Sequence, residues 1–398
     1  MIIQKNKDKL VIELTGRIDT NNAPAVEKEI MEAIDTDKGM EISFDAEKLS
    51  YISSAGLRVL MKVLKMSEKP VEVVNVSRDV YDIFETTGFT ELMNVRKAYR
   101  TISVDGLEVI GKGFFGTVYR IDAESIVKVY KGKDSIPMIE NEKRMAQKAF
   151  LSGIPTAISY DIVKVGEDYG SVFELLNART YHELVQKKEK PVREIISGYT
   201  DLLKLIHRTS LSAGTFPSYR KKYLDYLEII KKHLTESHYK GLLSKFTDME
   251  EETTVVHGDA QMKNVMLVGD EPMLIDMDTL GLGNPVFDLA GLYVTYQLFE
   301  EDEPSNSMDF LQMSQEMVDE IWKLIIETYF NPQTEKERQI IEDKIALVAV
   351  VRFLYLIEST DLKNSDLGKR RIEHSREHID ELLKAVDTLA LNDSEARK

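Results

Sequence analysis

Residues 255–278, VVHGDAQMKNVMLVGDEPMLIDMD, carry the side chains with the most chemical potential in this chain. Asp259 follows His257 and Gly258 behind an apolar pair. Asn264 stands five positions past Asp259, and Asp276 twelve positions past Asn264. Two short apolar runs, Val265–Val268 and 273–275, flank a Gly-Asp-Glu-Pro stretch. That pattern predicts loop, strand, tight turn, strand. A hairpin of this kind holds one carboxylate on a loop, and one carboxylate plus one amide around a metal. Phosphoryl transfer from ATP needs that set: a carboxylate to orient an acceptor hydroxyl, and oxygen ligands for a Mg²⁺ that bridges the phosphates.

A second half-site lies upstream. Residues 109–121, VIGKGFFGTVYRI, place Gly111, Gly113 and Gly116 as GxGxxG. Alone, that string could open a dinucleotide-binding unit. Such a unit would run on into a helix, with an acidic residue about twenty positions later. Here the glycines lead instead into the β-branched and aromatic run 117–121 and then a second strand, Ser125–Tyr130. Lys128 sits in that strand among Ile126, Val127 and Val129. Strand, glycine-rich turn, strand with a lysine is a nucleotide-covering hairpin, and the lysine stem can reach the α- and β-phosphates. The lysine needs a carboxylate to hold it. Residues 136–151 read as a helix with Ile139, Met145, Ala146 and Phe150 near one face. Glu142 is the expected ion-pair partner, with Glu140 as the second candidate.

Other polar residues read more simply. His257 is expected to brace the loop that carries Asp259. His207 closes an amphipathic helix and reads as structural. His374 and His378 form an i, i+4 pair, a spacing that can bind metal, but their charged helix predicts solvation.

The 398 residues suggest two or three domains, and 43% hydrophobic content is ample for a core. A formal net charge of −16 argues against nucleic acid or an anionic membrane as partner. It suits a cationic substrate, or simply solubility. With no cysteine there is neither a disulfide framework nor thiol chemistry. The first ten residues lack a signal-peptide core. The longest apolar run, 345–357, carries Arg352 and is too short to span a bilayer. These features predict a cytoplasmic protein.

The first hundred residues alternate strand and helix: strands at 10–14, 40–45 and 71–76, helices at 23–34, 55–67 and 79–87, with a turn at Gly16. That alternation predicts a parallel-type α/β layer. Its notable spot is Ser53-Ser54-Ala55-Gly56, two hydroxyls at a helix start. Free N–H groups there favour an added phosphate, and plain N-capping is the competing explanation. Beyond residue 300 the chain reads as helices near 308–330, 334–361 and 367–390, after an acidic loop at 300–307.

Residues from about 104 to 300 resemble the aminoglycoside phosphotransferase and choline kinase branch of the protein-kinase-like fold. HGDxxxxN and the following IDxD stand in place of HRD and DFG. The resemblance implies Asp259 as the catalytic aspartate, Asn264 and Asp276 as Mg²⁺ ligands and Lys128 as the phosphate-binding lysine. It implies Glu142, in NEKRM, as the lysine's partner and Asp288, in NPVFDLA, as a structural aspartate. Asp278 matches an acidic position of less uniform role, and Met277 stands where an aromatic is usual. SVFELL at 171–176 resembles the strand and hinge beside the adenine, with backbone from Glu174 to Leu176 bonding the base. Residues 1–95 resemble the STAS domain of anti-sigma-factor antagonists, through LTGRIDTNNA at 14–23, ISFDAEKLSYISSAGL at 42–57 and FETTGF at 84–89. That resemblance implies a protein partner and a phosphorylation switch at Ser54, with Ser53 where an aspartate is usual.

The expected architecture is an α/β STAS-like domain at 1–95, a short basic joint at 96–103, and an α+β bilobal protein-kinase-like domain with a helical C-terminal extension. Its N-lobe would cover 104–176 and its C-lobe, with a helical substrate subdomain, 177–390, followed by a polar tail at 391–398. The expected activity is transfer of the ATP γ-phosphate to the hydroxyl of a small molecule, with ATP and Mg²⁺ as cofactors. The alternative is a signalling protein in which nucleotide binding or autophosphorylation controls the STAS surface.

Overall fold

The computed structural model describes residues 2–6, 9–36, 39–112, 116–132, 135–176 and 178–391. The chain divides into two units, Met1–Ser103 with Ile162–Glu167, and Val104–Asp161 with Asp168–Lys398.

In the first unit, Leu10, Ile12 and Leu14 alternate with less buried neighbours along the strand Lys9–Ile18. The period of two gives the sheet an apolar face for helices to cover. The strands run in the order Ile2–Asn6, Lys9–Ile18, Glu41–Ile52, Val71–Val76, Asn94–Lys97. The last three pairings are parallel, as the alternation predicts. The first is antiparallel, so the sheet is mixed. The expected turn at Gly16 is not there. The strand continues through it to Ile18, with register shifts on either side absorbed by the glycine's positive φ of 67°. The helices are Ala23–Thr36, Ser54–Met66 and Arg78–Thr86. The basic stretch 96–103 holds the end of the fifth strand and a further short strand, Arg100–Ile102, which pairs in parallel with Asp161–Val165.

The second unit begins with an antiparallel sheet in the order Asp168–Glu174, Ser125–Tyr130, Gly116–Arg120, Val109–Lys112. The helix Ile136–Leu151 has the expected limits. Its buried face is Ile139, Glu142, Met145, Ala146 and Ala149, whereas Phe150, expected on that face, is 54% exposed. The hairpin downstream also differs from expectation. Its second strand is Glu271–Leu274 and includes Pro272, which pairs with Leu267 across a two-residue turn.

The remainder is helical around one buried element, Glu335–Glu358. It packs against Tyr219–Ile230, Val286–Tyr293 and Asp366–Ala385, which explains its near-continuous apolar run. The stretch expected as one helix at 308–330 is broken. Gln312 turns left-handed at φ 54°, and Ser314 caps a new helix, Gln315–Phe330, by accepting from Met317 N. His378 is not simply solvated, since its Nε2 bonds Glu301, and His374 Nδ1 lies 2.8 Å from Asp302. At the C-terminal end Leu391 is buried and its N–H donates to Asn284 Oδ1. Residues 392–398 lie outside the described residues. Among the described residues no helix is long and apolar enough to cross a membrane.

Candidate active site

A cleft of about 910 Å³ opens in the second unit, lined by Gly111, Gly116, Lys128, Glu174, Asn264 and Asp276 among others. The glycine-rich hairpin forms one side. A Cβ on Gly116 would sit 2.2 Å from the Val129 carbonyl oxygen, so only glycine lets these strands meet there. Gly113 lies outside the described residues.

Strand alternation buries Val127 and Val129 and turns Lys128 the other way, into the cleft. Lys128 Nζ lies 3.3 Å from Glu142 Oε1 and 2.5 Å from Asp276 Oδ1. Of the two candidate partners, Glu142 is therefore the one that meets the lysine. Its other oxygen accepts from the Tyr130 hydroxyl at 2.5 Å, a contact the sequence did not suggest. Burial disfavours the Lys128 charge, but the Glu142 and Asp276 carboxylates outweigh it and hold its pKa above the ordinary value. Burial, with Glu142 beside it, pushes the Tyr130 phenol far up, so it acts as a donor.

The opposite side is the loop 257–264. Its backbone hangs on Asp288, which is fully buried. His257 N donates to Asp288 Oδ2 at 2.8 Å and Gly258 N to Oδ1 at 2.5 Å. His207 Nε2 reaches the same carboxylate at 2.9 Å, the structural role expected for that histidine. His257 Nε2 reaches the Ile275 carbonyl at 3.1 Å and ties the loop to the hairpin. Gly258 has φ 84°, and a Cβ there would lie 1.5 Å from Tyr219 Oη. The next side chain, Asp259, accepts from Gln261 Nε2 at 3.2 and 3.1 Å and from Asn264 Nδ2 at 2.9 Å. Asn264 Nδ2 also donates to the Asp259 carbonyl, which turns the Asn264 amide oxygen the other way. Ile275 N donates to Asn264 O at 3.0 Å, and Asp276 follows in a left-handed conformation (φ 58°, ψ 62°) that costs energy for a non-glycine residue.

This donor set fits a hard divalent cation. The Asn264 amide oxygen and the Asp276 carboxylate are hard oxygen donors from two residues that line one cleft. Glu142, Asp276 and Asp278 bring three carboxylates to the neighbourhood of one Lys128 ammonium. Burial pushes the Asp278 carboxyl up, against the pull of Lys128, and the nearby Asp276 adds to the rise. Among the described residues no three His, Cys, Asp or Glu side chains converge as a closed cage. Protein oxygens alone would leave coordination positions for phosphate and water.

At the hinge, Glu174 and Leu176 line the cleft, while Leu175 N–H is already committed to Glu124 O at 2.7 Å.

Residues 106–317 match the family model described as phosphotransferase enzyme family. The chain belongs to that family. In this phosphotransferase, residues 1–103 match the STAS domain model. That segment is 28% identical over 89 residues to the anti-sigma-B factor antagonist of Staphylococcus aureus (strain NCTC 8325 / PS 47), covering 22% of this chain and 82% of the relative. It is 31% identical over 99 residues to the "Putative anti-sigma factor antagonist BtrV" of Bordetella bronchiseptica, covering 24% of this chain and 84% of the relative. Among solved structures, the ADP-bound aminoglycoside phosphotransferase APH(2'')-Ib aligns with TM-score 0.45 and 16% identity, over 78% of this chain and 99% of that one. A GDP and kanamycin complex of another APH(2'') enzyme aligns with TM-score 0.46 and 13% identity, over 76% and 98%.

Sequence reasoning missed Tyr130, Gln261 and Tyr219 at the phosphotransferase site, and left Arg352 without a role. Arg352 Nη1 donates to the Gly258 carbonyl at 2.6 Å, and Nη2 lies 3.9 Å from Asp259 Oδ1. The signal for it was present: Arg352 is the sole charged residue in the apolar run 345–357. In the STAS unit, Ser53 is the N-cap, its Oγ accepting from Ala55 N at 3.2 Å and Gly56 N at 3.4 Å. Ser54 is the first helical residue and is exposed.

Proposed function

We propose that this phosphotransferase moves the γ-phosphate of ATP to a hydroxyl of a small-molecule acceptor, and that its STAS unit docks a protein partner. The observation that carries the reading is the convergence of Lys128, tied to Glu142, with Asn264 and Asp276 on one cleft, and of Asp259 beside it through its hydrogen bond from Asn264. The adenine would lie against the Glu174 and Leu176 backbone, and Lys128 would exchange its Asp276 contact for the phosphates. Asp259, anchored by Gln261 and Asn264, accepts the hydrogen bond of the acceptor hydroxyl and points its oxygen at the γ-phosphorus. The new bond joins that oxygen to phosphorus as the bond to the bridging β,γ-oxygen breaks. ADP leaves with the electron pair, and the acceptor proton passes to Asp259 and on to solvent. Mg²⁺, held by Asn264 and Asp276, would neutralise charge on the phosphates. A cytosolic site of action, where ATP is available, is part of the same reading.

The test is Asp276→Ala. It is expected to raise the Mg²⁺ concentration needed for ATP binding by ~10-fold or more, since even outer-shell changes cost about that much. Fluorescent ATP-analogue titrations at a series of Mg²⁺ concentrations read it. An unshifted Mg²⁺ midpoint would remove Asp276 from the metal site.

A second reading, regulation through Ser54, is supported by its position. Ser53 Oγ takes the Ala55 and Gly56 N–H groups, so the Ser54 hydroxyl has no part in the cap and is exposed at the helix start, where the helix dipole favours a phosphate. Phosphate would add a charge of about −1.5 to −2 to that surface. After incubation with Mg·ATP, mass spectrometry is expected to find phosphate on Ser54 in the wild type and none in Asp259→Asn. An unmodified Ser54 under turnover conditions would leave the STAS unit as a docking module not controlled by its own kinase.

A further inference from the structure

Two helices place a cationic wall beside Asp259. Lys222 and Tyr226 lie one turn apart on Tyr219–Ile230, and Arg352 and Tyr355 lie three residues apart on Glu335–Glu358. The two helices pack together, and the Tyr226 and Tyr355 rings stack at 3.7 Å between centroids and 15° between planes. Arg352 reaches the catalytic loop through the Gly258 carbonyl and approaches Asp259 Oδ1 at 3.9 Å. Lys222 Nζ donates to Tyr219 Oη at 3.3 Å, the hydroxyl that abuts Gly258. Lys222 and Arg352 do not line the nucleotide cleft.

The charges in this wall do not balance. Arg352 shares the Asp259 carboxylate at a distance. Lys222 is half-buried, and among the described residues it has no carboxylate partner; a phenol and a second cation are its near neighbours. Burial, then Arg352, push the Lys222 ammonium down to about 8 against the weaker pull of Asp278, Asp288 and Asp259. The Tyr219 ring, 4.6 Å from Lys222 Nζ, offsets part of the cost of a half-buried ammonium beside a guanidinium, and an anion would complete the group. The stacked tyrosines flank the cations with an apolar surface for the body of a ligand. The acidity of the chain as a whole does not extend to this wall.

We propose that this wall is the anion subsite of the phosphate acceptor. The substrate class is an alcohol that also carries a carboxylate or a phosphate ester. Lys222, with Arg352 behind it, binds the anion while the hydroxyl meets Asp259. This inference rests on the phosphotransfer reading above and names its acceptor.

The test measures Mg·ATP-dependent ADP formation with three acceptor groups, alongside binding of a fluorescent ATP analogue. The anionic group has two arms, hydroxy acids (glycerate, homoserine) and phosphate esters (glycerol 3-phosphate, ribose 5-phosphate), which separate carboxylate from phosphate recognition. The others are uncharged polyols (glycerol, ribose) and cationic alcohols (choline, kanamycin). An anionic acceptor is expected to give the highest kcat/KM. Lys222→Met keeps the stem and removes the charge. It is expected to raise the KM for that acceptor by about 10- to 100-fold, the range for a lost hydrogen bond to a charged group, with the KM for ATP within about twofold. Lys222→Arg should recover most of the loss, and matched unfolding midpoints control for folding. Turnover of polyols or cationic alcohols in preference to anionic ones overturns the subsite and leaves phosphotransfer standing. So does a Lys222→Met variant that shifts only the KM for ATP. Bound nucleotide with no ADP formation from any group overturns both readings.

Discussion

Asp259→Asn lowers phosphotransfer by about 10²–10⁴-fold while ATP binding stays near wild type, the scale of a lost general base or hydroxyl-orienting group. The substitution is nearly isosteric. The carbonyl of the introduced amide still accepts from Gln261 Nε2 and Asn264 Nδ2, which now share one oxygen instead of two. The loop above it is held from elsewhere, by the Asp288 bonds to His257 N and Gly258 N. What disappears is the negative charge that Arg352 approaches at 3.9 Å and that the acceptor hydroxyl would meet. Lys128, Glu142 and the hinge are untouched, so the nucleotide keeps its contacts. Coupled ADP release and ATP-analogue titration on the same preparation separate the two effects. Retained turnover would move the catalytic role to another carboxylate. A parallel loss of ATP binding would make Asp259 a nucleotide or metal ligand instead.

Asp288→Asn destabilises the second unit by about 3–5 kcal/mol, the cost of breaking a buried ionic group. Three donors converge on this fully buried carboxylate: His257 N, Gly258 N and His207 Nε2. Asparagine offers one acceptor oxygen. Whichever way its amide turns, the NH₂ faces at least one of those N–H groups, and a buried donor goes unsatisfied. Burial alone would raise the Asp288 pKa, but hydrogen bonding and charge from His207, with support from His257, hold it below its ordinary value of 3.8. A depressed carboxylate contributes stability that is present above its unfolded pKa and lost as pH falls through the folded value. The wild type should therefore lose this contribution progressively below about pH 4. The Asp288→Asn variant should be weaker at neutral pH and show a flatter acid limb. Chemical denaturation followed by far-UV dichroism over a series from pH 7 to pH 2 measures both, and equal stability of the two proteins at pH 7 would contradict the network.

Local pattern carried much of this structure. Ser125–Tyr130, Val71–Val76 and Ile136–Leu151 have the limits their residue types predicted, because strand and helix periods are properties of neighbouring residues. The spacing of Asp259, Asn264 and Asp276 was legible for the same reason: a short loop and a hairpin bring them close in the chain, although Asp288 and Arg352 hold the loop from far along it. Local pattern failed where a longer-range contact chose between similar options. Glu140 and Glu142 are two residues apart on one helix, and docking of that helix against the sheet put Glu142 on Lys128 and Tyr130. Ala149 holds the buried place expected for Phe150, because the docked face follows Ile139, Glu142, Ala146 and Ala149 at three- and four-residue steps. Gly16 was compatible with a turn or with a bulged strand, and pairing with Glu41–Ile52 selected the strand.

The cationic wall lies furthest from anything a sequence pattern holds. Lys222 and Arg352 stand on separate helices, and Arg352 acts on Gly258 across 94 positions. Taken one at a time they are a surface-type lysine and a lone charge in an apolar run. Composition pointed to acidity and hence toward a cationic substrate, because net charge sums the whole surface. The charge beside Asp259 has the opposite sign, because helix packing alone decides which few side chains are gathered and dried there, and electrostatic energy depends on those local distances rather than on the total.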